Sequence, residues 1–175
     1  MKYLICSDIH GSIDSVEILL TKFNEFNCDQ IICLGDVLYH GPRNDLPNNY
    51  NPKAVINALN PLKDIILCVK GNCEAEVDQM VLNFKILDSY DGTINNIPTH
   101  LEHGHHLDEY KGNAKLILSG HTHIPLCENI NNQQFINPGS ITIPKNGSNR
   151  SFAIWDENQI TGYDINNNVI FSYIF

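Results

Sequence analysis

Residues 2–10 read Lys2-Tyr3-Leu4-Ile5-Cys6-Ser7-Asp8-Ile9-His10, an apolar strand-like run that stops on a carboxylate and, two residues later, an imidazole. The same pattern recurs. Ile31-Ile32-Cys33-Leu34 leads into Gly35-Asp36, Ile65-Ile66-Leu67-Cys68-Val69 into Gly71-Asn72, and Leu116-Ile117-Leu118 into Gly120-His121-Thr122-His123. His103-Gly104 is a fifth polar motif. Asp, His and Asn are side chains that ligate borderline divalent metals. Strand ends facing one way would gather them at one sheet edge, the arrangement a two-metal hydrolytic centre needs.

Outward from residue 10, strand and helix patterns alternate. Lys2 to Cys6 reads as a buried strand. Asp14-Ser15-Val16-Glu17 resembles a capping box, followed by Val16, Leu19, Leu20 and Phe23 at helical spacing. Gln30 to Leu34 is a second strand, and a Gly/Pro/Asn-rich loop covers 39–51. Pro52 suits the first turn of a helix carrying Val55, Ile56 and Leu59. A third strand spans 64–69 and a short helix 74–82. Strands separated by helices imply a parallel sheet. From Ile97 onward short strand-like runs alternate with Asn-rich turns, at 97–102, 115–119, 124–130, 133–137, 151–156, 159–164 and 168–174. A parallel α/β half followed by a meander half predicts two sheets face to face with helices outside.

The bulk properties narrow the classes. A chain of 175 residues with 42% hydrophobic content predicts one domain, 1–175, with a proper core. No apolar stretch is long enough to span a bilayer, and the N-terminus enters a strand at once, without signal-peptide character. The expected localisation is cytoplasmic. A net charge of −9 argues against non-specific nucleic-acid binding. It is compatible with an anionic substrate, because two divalent cations would reverse the sign locally. None of the six cysteines forms a CxxC pair, which argues against thiolate zinc sites and thioredoxin-like chemistry. Cys6, Cys33 and Cys68 read as buried small hydrophobes.

Taken singly, most of the motifs can be read as ordinary turns. Asp8 could cap a helix, and Asp36 and Asn72 could be turn residues. Glu102-His103-Gly104-His105-His106 could be a solvated loop, with His103 the better ligand and His105 and His106 secondary or exposed. His121 and His123 would point to opposite faces of a regular strand, but a tight turn lets them serve two adjacent metals. The Asn137-Pro138-Gly139-Ser140 turn can carry backbone groups that orient the histidines. The set is stronger than its members, since unrelated turns would not supply these side chains at successive strand ends.

Together the motifs resemble those of calcineurin-like metallophosphoesterases, whose ordered blocks are D-x-H, G-D, G-N-H-[DE], H and G-H-x-H. The match runs from residue 1 to about 145. It is closest to the small bacterial YfcE-like phosphodiesterases, through Ser7–Gly11, Leu34–Val37, His40–Asn44, Gly71–Cys73, Glu76–Met80, Asn137–Ser140 and Pro144-Lys145. The resemblance implies a four-layer α/β-sandwich of two facing mixed β-sheets flanked by helices, the metallo-dependent phosphatase fold. It implies one metal on Asp8, His10, Asp36 and His123 and another on Asp36, Asn72, His103 and His121, with Asp36 bridging. Manganese is the usual ion, with iron, zinc and nickel as alternatives. A homo-oligomer, dimer or tetramer, is also implied.

The expected activity is hydrolysis of a small phosphodiester by a hydroxide bridging the two metals, with Asn72 steadying the phosphoryl oxygens. Phosphomonoesterase or nucleotide phosphatase activity is the nearest alternative, and a non-catalytic scaffold, as in a retromer subunit of this fold, the more distant one. Arg43 could pair with a phosphate oxygen or form a loop salt bridge. His40 and His105 are candidates for proton delivery. Cys73 stands where the wider superfamily has a histidine that protonates the leaving group or binds the phosphoryl oxygens. The YfcE-like group shares this cysteine. A thiol beside two cations, if deprotonated, would be a poor acid.

Overall fold

The computed structural model describes residues 1–175 and contains twelve β-strands in two sheets. The first sheet is built on β1 (Lys2–Cys6), β2 (Gln30–Cys33) and β3 (Ile66–Val69), which run parallel, with β4 (Ile86–Leu87) beside β3. Helix α1 (Ile13–Glu25) connects β1 to β2, and α2 (Pro52–Leu59) with a 3-10 turn (Asn60–Ile65) connects β2 to β3. Helix α3 (Glu76–Val81) follows β3.

Alternation explains how these strands are buried on both faces. Leu4 and Cys6 of β1 pack with Val16 and Leu19 of α1 and Val55 of α2. Tyr3 and Ile5 face the other way, into a second cluster with Leu101, Leu116, Leu118 and Ile136. That second cluster lies between the sheets. The opposing sheet has the order β5-β6-β7-β9-β8. Its strands are β5 (Tyr90–Ile94), β6 (Ile97–Leu101), β7 (Leu116–Leu118), β8 (Leu126–Ile130) and β9 (Gln133–Asn137). Trp155, fully buried, lies in the same interior against Tyr3 and Phe175. Burying a side chain of such size contributes about 3 kcal/mol, the upper end of the usual range.

The structure departs from the sequence reading in three places. The two sheets do not divide the chain into halves. The last strands, β10 (Ser151–Asp156), β11 (Gln159–Asp164) and β12 (Val169–Ile174), return to the first sheet, where β10 pairs antiparallel with β1 from Lys2↔Asp156 to Ile5↔Ala153. The unbroken burial of Ser151–Trp155 is the signature of this interior position. Second, α1 is not capped by Asp14. Ser12 is the N-cap, its Oγ accepting the Ser15 N–H at 3.4 Å, and Asp14 sits in the first turn where a carboxylate complements the helix dipole. Third, β4 and β5 had no clear sequence signal. β4 is two residues long, and β5 contains Asp91-Gly92, poor strand formers tolerated on an edge.

All three α-helices lie between residues 13 and 81. The layer belonging to the second sheet is therefore thin, reduced to a 3-10 turn (Leu107–Glu109) and Tyr110, which stacks on His100 of β6 with ring centroids 3.8 Å apart. No helix is long and apolar enough to cross a membrane.

Candidate metal centre

The carboxyl ends of β1, β2, β3, β6 and β7 deliver Asp8, Asp36, Asn72, His103 and the 120–123 turn to one place. Asp8, His10, Asp36, His103 and His123 are all almost entirely buried. His123 Nε2 lies 3.2 Å from Asp8 Oδ1 and 3.3 Å from His10 Nε2, and His10 Nε2 lies 3.6 Å from Asp8 Oδ1. Beside this group, His103 Nε2 lies 3.3 Å from Asp36 Oδ2 and 3.1 Å from Asn72 Oδ1. Asp36 Oδ2 also lies 3.7 Å from His10 Nε2, so this carboxylate stands between the two groups. The His121 ring sits 5.1 Å from that of His103, centroid to centroid, and His121 lines one pocket with Asp36 and Asn72.

The imidazoles share one device. His10 Nδ1 donates to Tyr39 O at 2.8 Å, His103 Nδ1 to Leu34 O at 2.6 Å and His123 Nδ1 to Ile143 O at 2.5 Å. A carbonyl only accepts, so the proton is fixed on Nδ1 and Nε2 is turned toward the carboxylates. Local backbone conformation does the rest. Asp8, His10, Asp36, His121 and His123 all have positive φ, between 49° and 67°. Asp and His tolerate this region better than most residues, but five such conformations in one cluster indicate strain held by the surrounding structure. Gly35 and Gly120 make the close approach possible. A Cβ on Gly35 would sit 2.6 Å from Gly71 N and 2.9 Å from His103 Nδ1, and one on Gly120 would collide with Ser7 Oγ.

The electrostatics suit a cation. Burial opposes ionisation of Asp8, but the adjacent His10 and His123 imidazoles and the charge of His103 hold its carboxyl far below the ordinary range. Asp36 is likewise lowered against its burial, chiefly by His103. Burial also opposes charge on His103, yet the Asp36 hydrogen bond and the Asp8 charge push its imidazole up to about 9. Asp8 Oδ1 is buried with no hydrogen-bond donor of ordinary geometry. Two donors at 2.0–2.1 Å from one tetrahedral ion are about 3.3 Å apart, the His10–His123 spacing. The residues present therefore fit divalent cations.

The remaining candidates divide. Arg43 lines the pocket formed by Asp36, Asn72, Cys73, His121, His123 and Lys145, and forms no salt bridge. His40 does not face this pocket. Its ring packs edge-to-face with Tyr39 and Tyr50, at 4.8 and 5.2 Å, while its carbonyl accepts from Asn44 Nδ2. His105 is on the rim, its ring 5.6 Å from that of His103, and burial and His103 lower its pKa. His106 is exposed. The Cys73 N–H donates to Asp36 Oδ1 at 2.9 Å. Burial and the Asp36 charge push the Cys73 thiol up to about 12, so in this carboxylate surrounding it keeps its proton.

Supporting residues were less legible. Glu74 accepts the backbone N–H groups of Asp36 at 2.8 Å, Val37 at 2.6 Å and Gly71, tying the second and third motif turns together. Its place after Asn72-Cys73 was visible, its task was not. Ser140 Oγ donates to Asp8 O at 3.0 Å. The Asn137 turn works through its side chain rather than its backbone, Nδ2 donating to Gly120 O at 2.7 Å and Thr122 Oγ1 at 3.1 Å.

The chain is similar to known proteins. The chain is 36% identical to Phosphodiesterase YfcE of Escherichia coli strain K12, over 99% of this chain and 97% of that protein. The solved structure of YfcE, described as a phosphoesterase from E. coli, superposes with a TM-score of 0.94 at 35% identity, covering 99% of both chains. Vacuolar Protein Sorting 29 from Cryptosporidium parvum shares only the fold, with a TM-score of 0.65 at 16% identity over 99% of this chain and 98% of that one. The model of the calcineurin-like phosphoesterase superfamily domain matches residues 1–159, and the chain belongs to that superfamily.

Proposed function

We propose that the protein is a metal-dependent phosphodiesterase acting on a small phosphodiester. The observation that carries this reading is the convergence of three Nδ1-anchored histidines on two buried carboxylates, one with an orphaned oxygen. Asp8, His10, Asp36 and His123 would hold one ion, and Asp36, Asn72, His103 and His121 the other, with manganese the expected metal. Bound there, a divalent pair supplies Lewis acidity and a lowered pKa for the attacking water. The chain's own groups position the ester. The Asn72 amide can donate to a phosphoryl oxygen, and Arg43 and Lys145 line the same pocket and offset anionic charge on the substrate. Cys73 lines the same pocket, its backbone N–H bonded to Asp36 Oδ1.

The name and near-complete coverage of the E. coli relative support a diester over a monoester. We further take residues 1–175 as one cytoplasmic domain that forms homo-oligomers, which sedimentation would check. The decisive measurement compares metal content and hydrolysis of a diester and its matching monoester in wild type and Asp36→Asn. Wild type should bind two ions and prefer the diester. The variant should lose at least about 100-fold in rate, as expected for removal of transition-state charge stabilisation. Full activity of Asp36→Asn at verified metal content would overturn the bridging role.

A further inference from the structure

Beside the metal pocket lies a second cavity of about 500 Å³. It is bounded by the start of α1, the loop 43–48, residues 142–144 and Arg150. Arg43 and Asn44 line both cavities, and Pro144 of this one adjoins Lys145 of the other. A group attached to a phosphoryl centre in the metal pocket can therefore extend into it. Its volume lies within the roughly 300–1,000 Å³ typical of small-molecule sites.

The lining is polar. Only two of its thirteen residues are hydrophobic and none is aromatic. A nucleobase or aryl group takes its binding energy from stacking and apolar contact; this cavity has no aromatic side chain to stack on, and its apolar contact is confined to Leu46, Pro47, Ile143 and Pro144. It offers hydrogen-bonding groups instead. The Arg150 guanidinium is anchored by Nε to Ile141 O at 2.6 Å and by one terminal nitrogen to Ser15 Oγ at 2.9 Å, pairs with no carboxylate, and keeps three of its five N–H groups free of protein partners. The Asp45 carboxylate and the Asn48 amide are exposed, line the cavity and make no side-chain hydrogen bond. Asp14 is held by Asn49 Nδ2 at 2.7 Å. Two arginines and two aspartates balance in charge, so a second full anion has no advantage. A ligand presenting donors and acceptors together does, and those are the features of neighbouring hydroxyl groups.

We propose that this cavity seats one ester arm of the substrate, and that the arm is a polyhydroxylated alcohol, either an acyclic polyol or a sugar. The inference rests on the phosphodiesterase reading and adds the substrate class to it. Asp45 and Asn48 are the residues that read the hydroxyls, with Arg150 a fixed donor on the wall.

The test is calorimetric binding of methylphosphonate monoesters to the metal-loaded protein. These mimic a diester with a single arm, here glyceryl, hexosyl, propyl or phenyl. The glyceryl or hexosyl ester should bind about tenfold tighter than propyl, as two added hydrogen bonds would give, and phenyl no tighter than propyl. The better of the glyceryl and hexosyl esters identifies the acyclic or ring source. Asp45→Ala with Asn48→Ala should bring polyol and propyl esters level. Asn48→Trp, which fills the cavity, should weaken every ester larger than methyl. A propyl or phenyl ester binding as tightly as the polyols, or a preference surviving the double substitution, would overturn the proposal. Diester hydrolysis with a flat binding series counts against the cavity alone. A polyol preference without hydrolysis of any diester supports the cavity and counts against the phosphodiesterase reading.

Discussion

At the scale of the residue, Glu74 shows how much of the centre depends on a side chain that is not a candidate ligand. Its two oxygens accept three backbone N–H groups, from Asp36, Val37 and Gly71. Burial and the Asp36 charge push its carboxyl up to about 7 against those same hydrogen bonds. The arrangement thus sets a costly carboxylate beside another so that the Asp36 turn has one conformation. In Glu74→Gln one oxygen becomes an NH₂ that faces a backbone donor, leaving at least one N–H without a partner. That should cost about 1–3 kcal/mol in stability. Metal affinity should fall by about 10–100-fold, as for other groups that orient ligands. Thermal melts and metal titration above pH 8, where the wild-type carboxyl is ionised, would show it. Unchanged metal affinity would mean that Asp36 holds its place without Glu74.

At the scale of the element, the β11–β12 hairpin relies on a single carboxylate. Asp164 Oδ1 accepts the N–H groups of Asn166 and Asn168, both at 2.9 Å, and Oδ2 accepts Asn168 Nδ2 at 2.9 Å and Asn149 Nδ2 at 3.3 Å. These bonds, Asn168 first, hold the Asp164 carboxyl below its ordinary range. A depressed carboxyl adds stability above the unfolded-chain value of about 4 and loses it as pH falls through the folded value. Asp164→Ala should therefore cost about 1.5–3 kcal/mol at neutral pH, with the gap to wild type narrowing below about pH 4. Denaturant unfolding at pH 7 and pH 3.5 tests this, and a gap that widens in acid would refute it. The Asn-rich sequence foretold a turn here, because Asn readily adopts the left-handed backbone seen at Asn167. It did not foretell which sheet the hairpin joins, since that depends on β10 reaching β1 across about 150 residues. Periodicity is local information and found most strands. The partners of those strands are long-range information, and β10 was placed in the wrong half for that reason.

At the scale of the whole molecule, the sequence disclosed the chemistry of the centre better than its support. Asp8, His10, Asp36, His103 and His123 could be singled out because chemistry restricts which side chains hold a cation. The carbonyls that aim the histidines, Tyr39, Leu34 and Ile143, carry no side-chain signature, because any residue supplies a carbonyl. The packing of the His40 ring against Tyr39 and Tyr50 is equally illegible in sequence, because it depends on how the 39–51 loop folds. The fold brings together strained left-handed ligands and buried carboxylates that a cation would relieve, and this links the centre to global stability. A cation that binds the folded chain alone stabilises it by about 2.7 kcal/mol at a concentration 100 times its Kd. For a chain of this size each kcal/mol moves Tm by about 2–4 °C, so manganese should raise Tm by about 5–10 °C over a chelator-treated sample. The shift should shrink in Asp36→Asn, which removes the carboxylate standing between the two groups of candidate ligands. Differential scanning calorimetry of both proteins, with and without manganese, separates the outcomes. An equal shift in both would place the stabilising ion away from Asp36, and no shift in wild type at verified occupancy would show that the centre is uncoupled from the core.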